Sequence, residues 1–300
     1  MAASMSRVKH SELAGSWYAS GAARLERQLD QLFAAAPTLQ SQPPPGKLAG
    51  LIVPHAGYVY SGRAAAVGYS CLQRNVYRRA VILAPSHHAA FPGVAVLDVD
   101  FFEHPCGRVA VDAAGLAILA ANPLARVDPE PFHGEHAVEI QLPLLHRVSP
   151  HIQVVPVLVG TLTADDQMAL VPALARLRDA STVFIISSDF VHFGWRFGYL
   201  PFPADGLDAV RAGLRDLDMG AIERICEGDV SGFRQYLAAT GATICGRLPI
   251  EIFLTMQRAR IPGRLLTYYT SLDVTGDYEH SVSYATIAFP MAEDDASQQI

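Results

Sequence analysis

Three short aliphatic runs, each followed by a turn that carries histidine, are the strongest constraint on the fold. They read LIV before PHAG, RAVILAP before SHH and TVFIIS before SDFVH, and the turns hold His55, His87, His88, Asp189 and His192. Continuous apolar runs of this length are typical of strands buried on both faces of a parallel sheet. Because the carboxyl ends of parallel strands lie at one edge of a sheet, we expect these imidazoles to converge on one site.

The rest of the chain alternates strand-like and helix-like segments, which favours an α/β fold. We predict a single domain over residues 1–290, with a central, largely parallel or mixed β-sheet flanked by helices. Residues 291–300 are predicted to form a flexible C-terminal tail.

Several local features refine this outline. A helix is predicted from Glu135 to Arg147, with Pro143 bending it or starting a new turn. Pro156 lies inside a buried apolar run and is expected near a sheet edge or a bulge, because it cannot donate a ladder hydrogen bond. The segments 205–217 and 218–227 are predicted as two successive helices, each beginning at an aspartate.

Composition narrows the classes of partner. A net charge of −6 over 300 residues argues against nucleic acid, and no apolar run approaches the ~20 residues of a membrane span. The four cysteines are scattered without a CxxC pair, which indicates a reducing compartment. We therefore expect a cytoplasmic protein that binds a small molecule or a peptide, and neither nucleic acid nor a membrane.

Two strand-end histidines are candidate metal ligands. Neutral imidazole is a common metal ligand, and neighbouring strands lie ~4.8 Å apart, so His55 and His87 can reach one ion. A third, anionic ligand would complete the set, and the candidates are Cys245, Asp189 and Glu135. Two histidines with a carboxylate would form the oxygen-activating non-haem iron arrangement, whereas a thiolate also suits copper or zinc.

Six short motifs, in order, resemble one family. AGSWY, HAGYVYSG, PSHH, SSDFVH, TICGR and SVSYA are similar to segments of the Memo family (mediator of cell motility), and the likeness runs from about Gly15 to Ala288. The family is similar in fold to the class III extradiol dioxygenases, which open aromatic rings with non-haem iron. The resemblance therefore implies an extradiol-dioxygenase-like α/β domain.

The resemblance also implies roles for individual residues. The metal ligands would be His55, His87 and Cys245, with iron (Fe²⁺) as the expected ion and copper or zinc as alternatives. His192 would be the general acid or base, and Asp189 would line the site. The residues that would meet the substrate are Trp17, Tyr58, His88, Glu135, His136 and Glu139.

Two functions follow, and both stay open at this point. In the first, the protein is a metal-dependent redox enzyme, similar to a dioxygenase, that acts on a small aromatic substrate such as a phenol. In the second, the same pocket is a non-enzymatic module that binds a phosphopeptide or another anion. A third alternative, a thiol hydrolase, would need Cys245 within hydrogen-bond reach of His192.

Overall fold

The computed structural model describes residues 6–35, 39–72, 76–257 and 261–292, which form one α/β domain. The strands are β1 (Val8–Lys9), β2 (Leu48–Val53), β3 (Arg79–Pro85), β4 (Val94–Val96), β5 (Phe101–His104), β6 (Gly107–Val111), β7 (Ala125–Val127), β8 (Gln153–Val159), β9 (Thr182–Ser187), β10 (His192–Phe193), β11 (Arg264–Thr270) and β12 (Ser281–Pro290). The helices are α1 (Ala22–Ala34), α2 (Tyr58–Ser70), α3 (Ala113–Ala120), α4 (His136–Glu139), α5 (Gln141–Val148), α6 (Ala164–Ala175), α7 (Leu207–Cys226), α8 (Val230–Thr240), α9 (Arg247–Met256) and α10 (Leu272–Thr275). Of the predicted tail, residues 293–300 lie outside the described residues, so its flexibility and the domain boundary stay predictions.

One twelve-stranded mixed sheet forms the centre of the domain, with the main path β1-β5-β6-β8-β3-β9-β2-β12-β10. The four strands β8, β3, β9 and β2 are neighbours and run parallel, whereas β12 is antiparallel to β2. The predicted α/β class with a largely parallel or mixed sheet is thereby confirmed. The three histidine-bearing turns follow β2, β3 and β9, which are adjacent strands with a common carboxyl edge.

Both faces of this parallel centre are covered by helices. A Cβ added to Gly50 of β2 would lie 2.5 Å from Phe253 of α9, so this face touches that helix directly. The neighbouring side chain of Val53 packs instead against Gly68 of α2, on the opposite face. Every residue of β2 is buried as a result. Each aliphatic side chain buried in this way contributes about 1.5–3 kcal/mol, which explains the unbroken apolar runs in the sequence.

Pro156 is not on a sheet edge, contrary to the expectation. It lies within β8, where Ile82 of β3 is its parallel partner on one side. On the other side, β6 pairs with residues 153–154 and β4 pairs with residues 157–159. Pro156 therefore occupies the gap between two partner strands, where no ladder donor is required of it.

The two helices predicted over 205–217 and 218–227 are one continuous helix, α7, so that prediction was wrong. Asp218 does not begin a helix. Its carboxylate is fully buried and accepts hydrogen bonds from the amide of Val191 (3.1 Å) and the hydroxyl of Tyr268 (2.8 Å). The aspartate thus serves a tertiary contact that its helix-cap preference does not reveal.

The predicted helix 135–147 is interrupted at Ile140 and forms α4 and α5, with Pro143 in the first turn of α5. Proline is tolerated there because the first-turn amides have no intrahelical partner. Among the described helices, none is long and apolar enough to cross a membrane.

Candidate metal centre

Three imidazoles meet at the carboxyl edge of the parallel strands. One nitrogen from each of His55, His87 and His136 lies within 4.8 Å of the other two. The ring centroids are 5.1 Å apart for the first two residues, and His136 lies 5.2 Å from His55 and 4.3 Å from His87. Clustered neutral imidazoles are the usual protein ligands of transition metals, so this group could bind a metal ion.

Hydrogen bonds fix the tautomer of His55. The Ser187 hydroxyl donates to the carbonyl of Ala137 (2.6 Å) and accepts from Nε2 of Gln141 (2.9 Å). That amide nitrogen is identified by its second bond, to the carbonyl of Pro54. Since the hydroxyl proton is already committed, Nδ1 of His55 (2.9 Å away) must be the donor to Ser187. Nε2 of His55 consequently carries a free lone pair.

His87 is oriented by a buried carboxylate. Glu135, whose side chain is fully buried, accepts hydrogen bonds from Nδ1 of His87 (2.9 Å) and from its backbone amide (2.6 Å). Burial alone would raise the pKa of Glu135, but the hydrogen bonds from His87 and from the amide of Ala137 hold that pKa below its usual value. An anionic partner on Nδ1 leaves Nε2 as the free nitrogen and makes it a stronger ligand.

His136 lies between two rings and has an unsatisfied nitrogen. Its imidazole stacks on the indole of Trp17 (centroids 4.2 Å apart) and on His87. Nδ1 of His136 is buried and has no hydrogen-bond partner among the described residues, although a Glu135 oxygen lies 3.4 Å away. A buried polar atom without a partner is uncommon, and a bound ion would satisfy such a nitrogen or its neighbours. The residues present therefore fit a metal ion.

Burial favours the neutral forms of His55 and His136. Burial, reinforced by His136, His87 and His192, holds the pKa of His55 well below its usual value. Burial and the neighbouring His87 lower the pKa of His136 to about 4. Uncharged rings with free lone pairs are the form that binds a cation.

Cys245 contacts one of the three imidazoles, that of His55. Its Sγ lies 3.2 Å from Nε2 of His55, and Gly246 brings the loop close because an added Cβ there would lie 2.3 Å from Cβ of Ser188. Burial and the nearby Asp189 raise the pKa of the thiol, which favours protonated Cys245, and the carbonyl of Asp189 lies 3.6 Å from Sγ as an acceptor. The group within 4.8 Å contains three imidazoles and not the sulfur, so the ligand set with Cys245 stays a prediction.

Asp189 and His192 flank the centre. Oδ1 of Asp189 accepts the backbone amide of His55 (2.8 Å), and burial raises the pKa of this carboxyl. Nδ1 of His192 donates to the carbonyl of Thr243 (3.1 Å), which leaves its Nε2 free to accept a proton. The phenyl ring of Phe197 packs edge-on against this imidazole, at 5.2 Å.

The predicted substrate residues separate into two groups. His88 is exposed at 6.2 Å from the ring of His136, and Trp17 and Glu135 contact the centre as described. Tyr58 is buried, and its hydroxyl donates to the carbonyl of Ile140 (2.8 Å), so the structure does not present its hydroxyl to a ligand.

Glu139 holds the N-terminal segment over the centre. Its buried carboxylate accepts hydrogen bonds from the Ser11 hydroxyl, the amides of Glu12 and Leu13, and the Tyr18 hydroxyl. We call residues 11–18 the strap. Since Trp17 belongs to the strap, Glu139 acts on the centre by positioning the indole that stacks on His136.

Sequence reasoning missed Ser187 and Gln141, which set the tautomer of His55. Both are polar residues inside segments that are otherwise buried and apolar, and both are fully buried. A polar residue at a position that periodicity assigns to the core is the signal that could have found them.

Fold and site together define an α/β protein with a candidate metal centre at the carboxyl edge of its parallel strands. The sequence model of the family described as "Memo-like protein" matches residues 9–288. The chain is 33% identical over 285 residues to the protein memo-1 homolog of Caenorhabditis elegans, covering 91% of this chain and 80% of that one. It is 32% identical to protein MEMO1 of Xenopus tropicalis (91% and 94% covered) and 33% identical to a MEMO1 family protein of Schizosaccharomyces pombe (93% and 98% covered). The chain belongs to the Memo family.

Proposed function

We propose that this protein is a metal-dependent redox enzyme whose resident ion is iron, with copper as the alternative. The observation that supports it is the convergence of three imidazoles, two of which donate a hydrogen bond from Nδ1, so that Nε2 is their available ligand atom. His55 and His87 would hold the ion, and His136 and Cys245 are the residues near enough to complete the set. Such an ion would supply redox chemistry with dioxygen and a small aromatic substrate at its open coordination positions.

The surrounding residues would prepare the substrate. Nε2 of His192 would take the proton of a phenolic hydroxyl, because its other nitrogen is already bonded to Thr243. The rings of Trp17 and Phe197 border the imidazoles and would limit the access of water. The similarity in fold to extradiol dioxygenases, inferred from the sequence motifs, agrees with this chemistry and remains part of the proposal.

Metal analysis of protein purified without oxygen tests the proposal. We expect stoichiometric iron or copper in the unaltered protein, its loss in His55→Ala and His87→Ala, and unchanged content in His151→Ala, which removes an exposed histidine. Metal-loaded protein should consume dioxygen when catechol is added. Absence of metal from the unaltered protein, or equal content in the His55→Ala and His151→Ala variants, would contradict the proposal.

A second candidate is a recognition module for a phosphopeptide or another anion. It is favoured by the apolar side chains exposed beside the centre, with Val59 and Trp195 each 67% exposed. Apolar surface of this kind is often a contact surface for a protein or peptide. Metal-free protein that binds a phosphopeptide, with unchanged affinity after metal is added, would support this candidate over the enzyme.

A further inference from the structure

A cavity of ≈ 450 Å³ lies beside the candidate metal centre. Its wall includes Trp17, which stacks on His136, and Phe197, which packs against His192. Ala56, the residue after His55, also contributes to the wall. A molecule in this cavity would therefore contact two aromatic side chains that also contact histidines of the centre or its flank.

Four aromatic rings lie on the wall of this cavity, among serine, threonine and charged side chains. Besides Trp17 and Phe197, the rings of Tyr60 and Tyr284 line it, and Tyr60 and Phe197 are 41% and 42% exposed. Concave sites with apolar walls and a few polar groups are typical of binding sites for small molecules. Aromatic side chains pack well against a planar ring, so the wall favours an aromatic ligand.

The polar part of the wall contains one guanidinium, from Arg196, and one carboxylate, from Asp277. The guanidinium of Arg196 makes no ion pair or hydrogen bond among the described residues and contacts only the ring of Trp195 (5.6 Å). The acid on the wall, Asp277, already accepts the amides of Glu279 and His280. Nε2 of His280 is buried and has no hydrogen-bond partner in the described part of the chain. The carboxylate of Asp277 lies 3.7 Å from Nδ1 of His280, whereas the guanidinium of Arg196 has no ion-pair partner among the described residues and can receive an anionic ligand.

We propose that this cavity binds a small aromatic carboxylate, with the ring against Trp17 and Phe197 and the carboxylate on Arg196. Arginine suits the role because its planar guanidinium binds a carboxylate through two parallel hydrogen bonds. The inference rests on the proposed function in one respect: it names the substrate class that would reach the metal centre. The volume suits a single aromatic ring with a short acidic side chain.

Binding to the full-length, chelator-treated protein tests the inference without metal. The probes are phenylacetate, which has the ring and the charge; 2-phenylethanol, which has the ring alone; and acetate, which has the charge alone. We expect phenylacetate to bind at least about tenfold more tightly than the alcohol, the change that one charge-assisted hydrogen bond produces. Acetate should show no saturable binding, because it cannot use the aromatic wall.

Two variants separate the charge from the ring. Arg196→Gln should weaken phenylacetate about tenfold or more and leave 2-phenylethanol unchanged. Phe197→Ala should weaken both probes alike, and Arg24→Gln, on the exposed face of α1, should weaken neither. Equal affinity for phenylacetate and 2-phenylethanol, or no effect of Arg196→Gln, would overturn the inference. Tighter binding of phenyl phosphate than of phenylacetate would overturn the assignment to a carboxylate.

A failure of this inference can be distinguished from a failure of the proposed function. His55→Ala should still bind phenylacetate in metal-free form, because His55 does not line the cavity. If the protein holds metal but no aromatic carboxylate, only this inference fails. If it binds the carboxylate but never holds metal, the cavity assignment stands and the redox function fails.

Discussion

Glu139 offers the sharpest test of how the centre is assembled. Its carboxylate is the common acceptor of the strap, and the strap carries the indole that stacks on His136. We predict that Glu139→Ala and Glu139→Gln destabilise the protein by different amounts and displace Trp17. The residue would thus matter to the metal centre although it does not face the ion.

The predicted loss of stability follows from the hydrogen-bond donors that each substitution leaves unpaired. In Glu139→Ala, the buried amide of Leu13 and the buried hydroxyl of Tyr18 lose their acceptor, at about 1–3 kcal/mol each. Water can solvate the more exposed Ser11 and Glu12, so we expect a total loss near 3 kcal/mol. Glu139→Gln keeps one carbonyl oxygen but loses the charge, which should cost about 1.5 kcal/mol.

Two measurements check the prediction. Urea denaturation gives the free energy of unfolding, with Glu223→Gln as a control that removes an exposed carboxylate. In a Trp195→Phe background, the remaining indole reports on the strap, and its emission should shift to longer wavelength in Glu139→Ala at urea concentrations where the protein is still folded. Unfolding free energies within about 0.5 kcal/mol of the control, or an unchanged emission spectrum, would refute the reasoning.

Three further predictions concern titration and metal binding. Burial raises the pKa of Asp218 to about 6, so its contribution to stability falls as pH rises through 6. Asp218→Asn, which can still pair with Tyr268, should stabilise the protein by about 2 kcal/mol near pH 8 and leave it unchanged near pH 4, as measured by urea denaturation. Burial lowers the pKa of His104 from 6.5 to about 4, so its contribution is full above pH 6.5 and is lost as pH falls towards 4. Between pH 6.5 and 4, the free energy of unfolding should fall by about 3 kcal/mol less in His104→Asn than in the unaltered protein. An unchanged pH profile would contradict this prediction. Glu135→Gln, which weakens the orientation of His87, should lower Co²⁺ affinity about 10–100-fold in a chelator competition; an unchanged affinity would show that the carboxylate is dispensable.

The convergence of His55 and His87 was predictable because it depends on local features of the sequence. Apolar runs identify parallel strands, proline and glycine end them, and the shared edge follows from topology. His136 was placed at the rim as a substrate residue, whereas the structure groups its ring with the other two imidazoles. His136 and Glu139 lie three residues apart on α4, and both side chains contact the strap.

Other features depended on contacts between distant parts of the chain. The strap lies more than 120 residues before Glu139, so no periodicity could indicate that contact. Asp218 has the residue type of a helix cap, and only the nearby Val191 amide explains why it lies mid-helix. Pro156 likewise is a residue type typical of sheet edges. It is tolerated inside β8 because β6 and β4 pair with that strand before and after it, and neither needs its missing amide donor.

The fixed tautomers of His55 and His87 determine how many protons leave when an ion binds. In the neutral form of each ring the proton lies on Nδ1, so coordination through Nε2 releases no proton to the buffer. The thiol of Cys245 is still protonated beside His55, and its recruitment would release one. Calorimetric titration with metal in buffers of different ionisation enthalpy measures the number of protons released, and would therefore show whether the sulfur belongs to the ligand set.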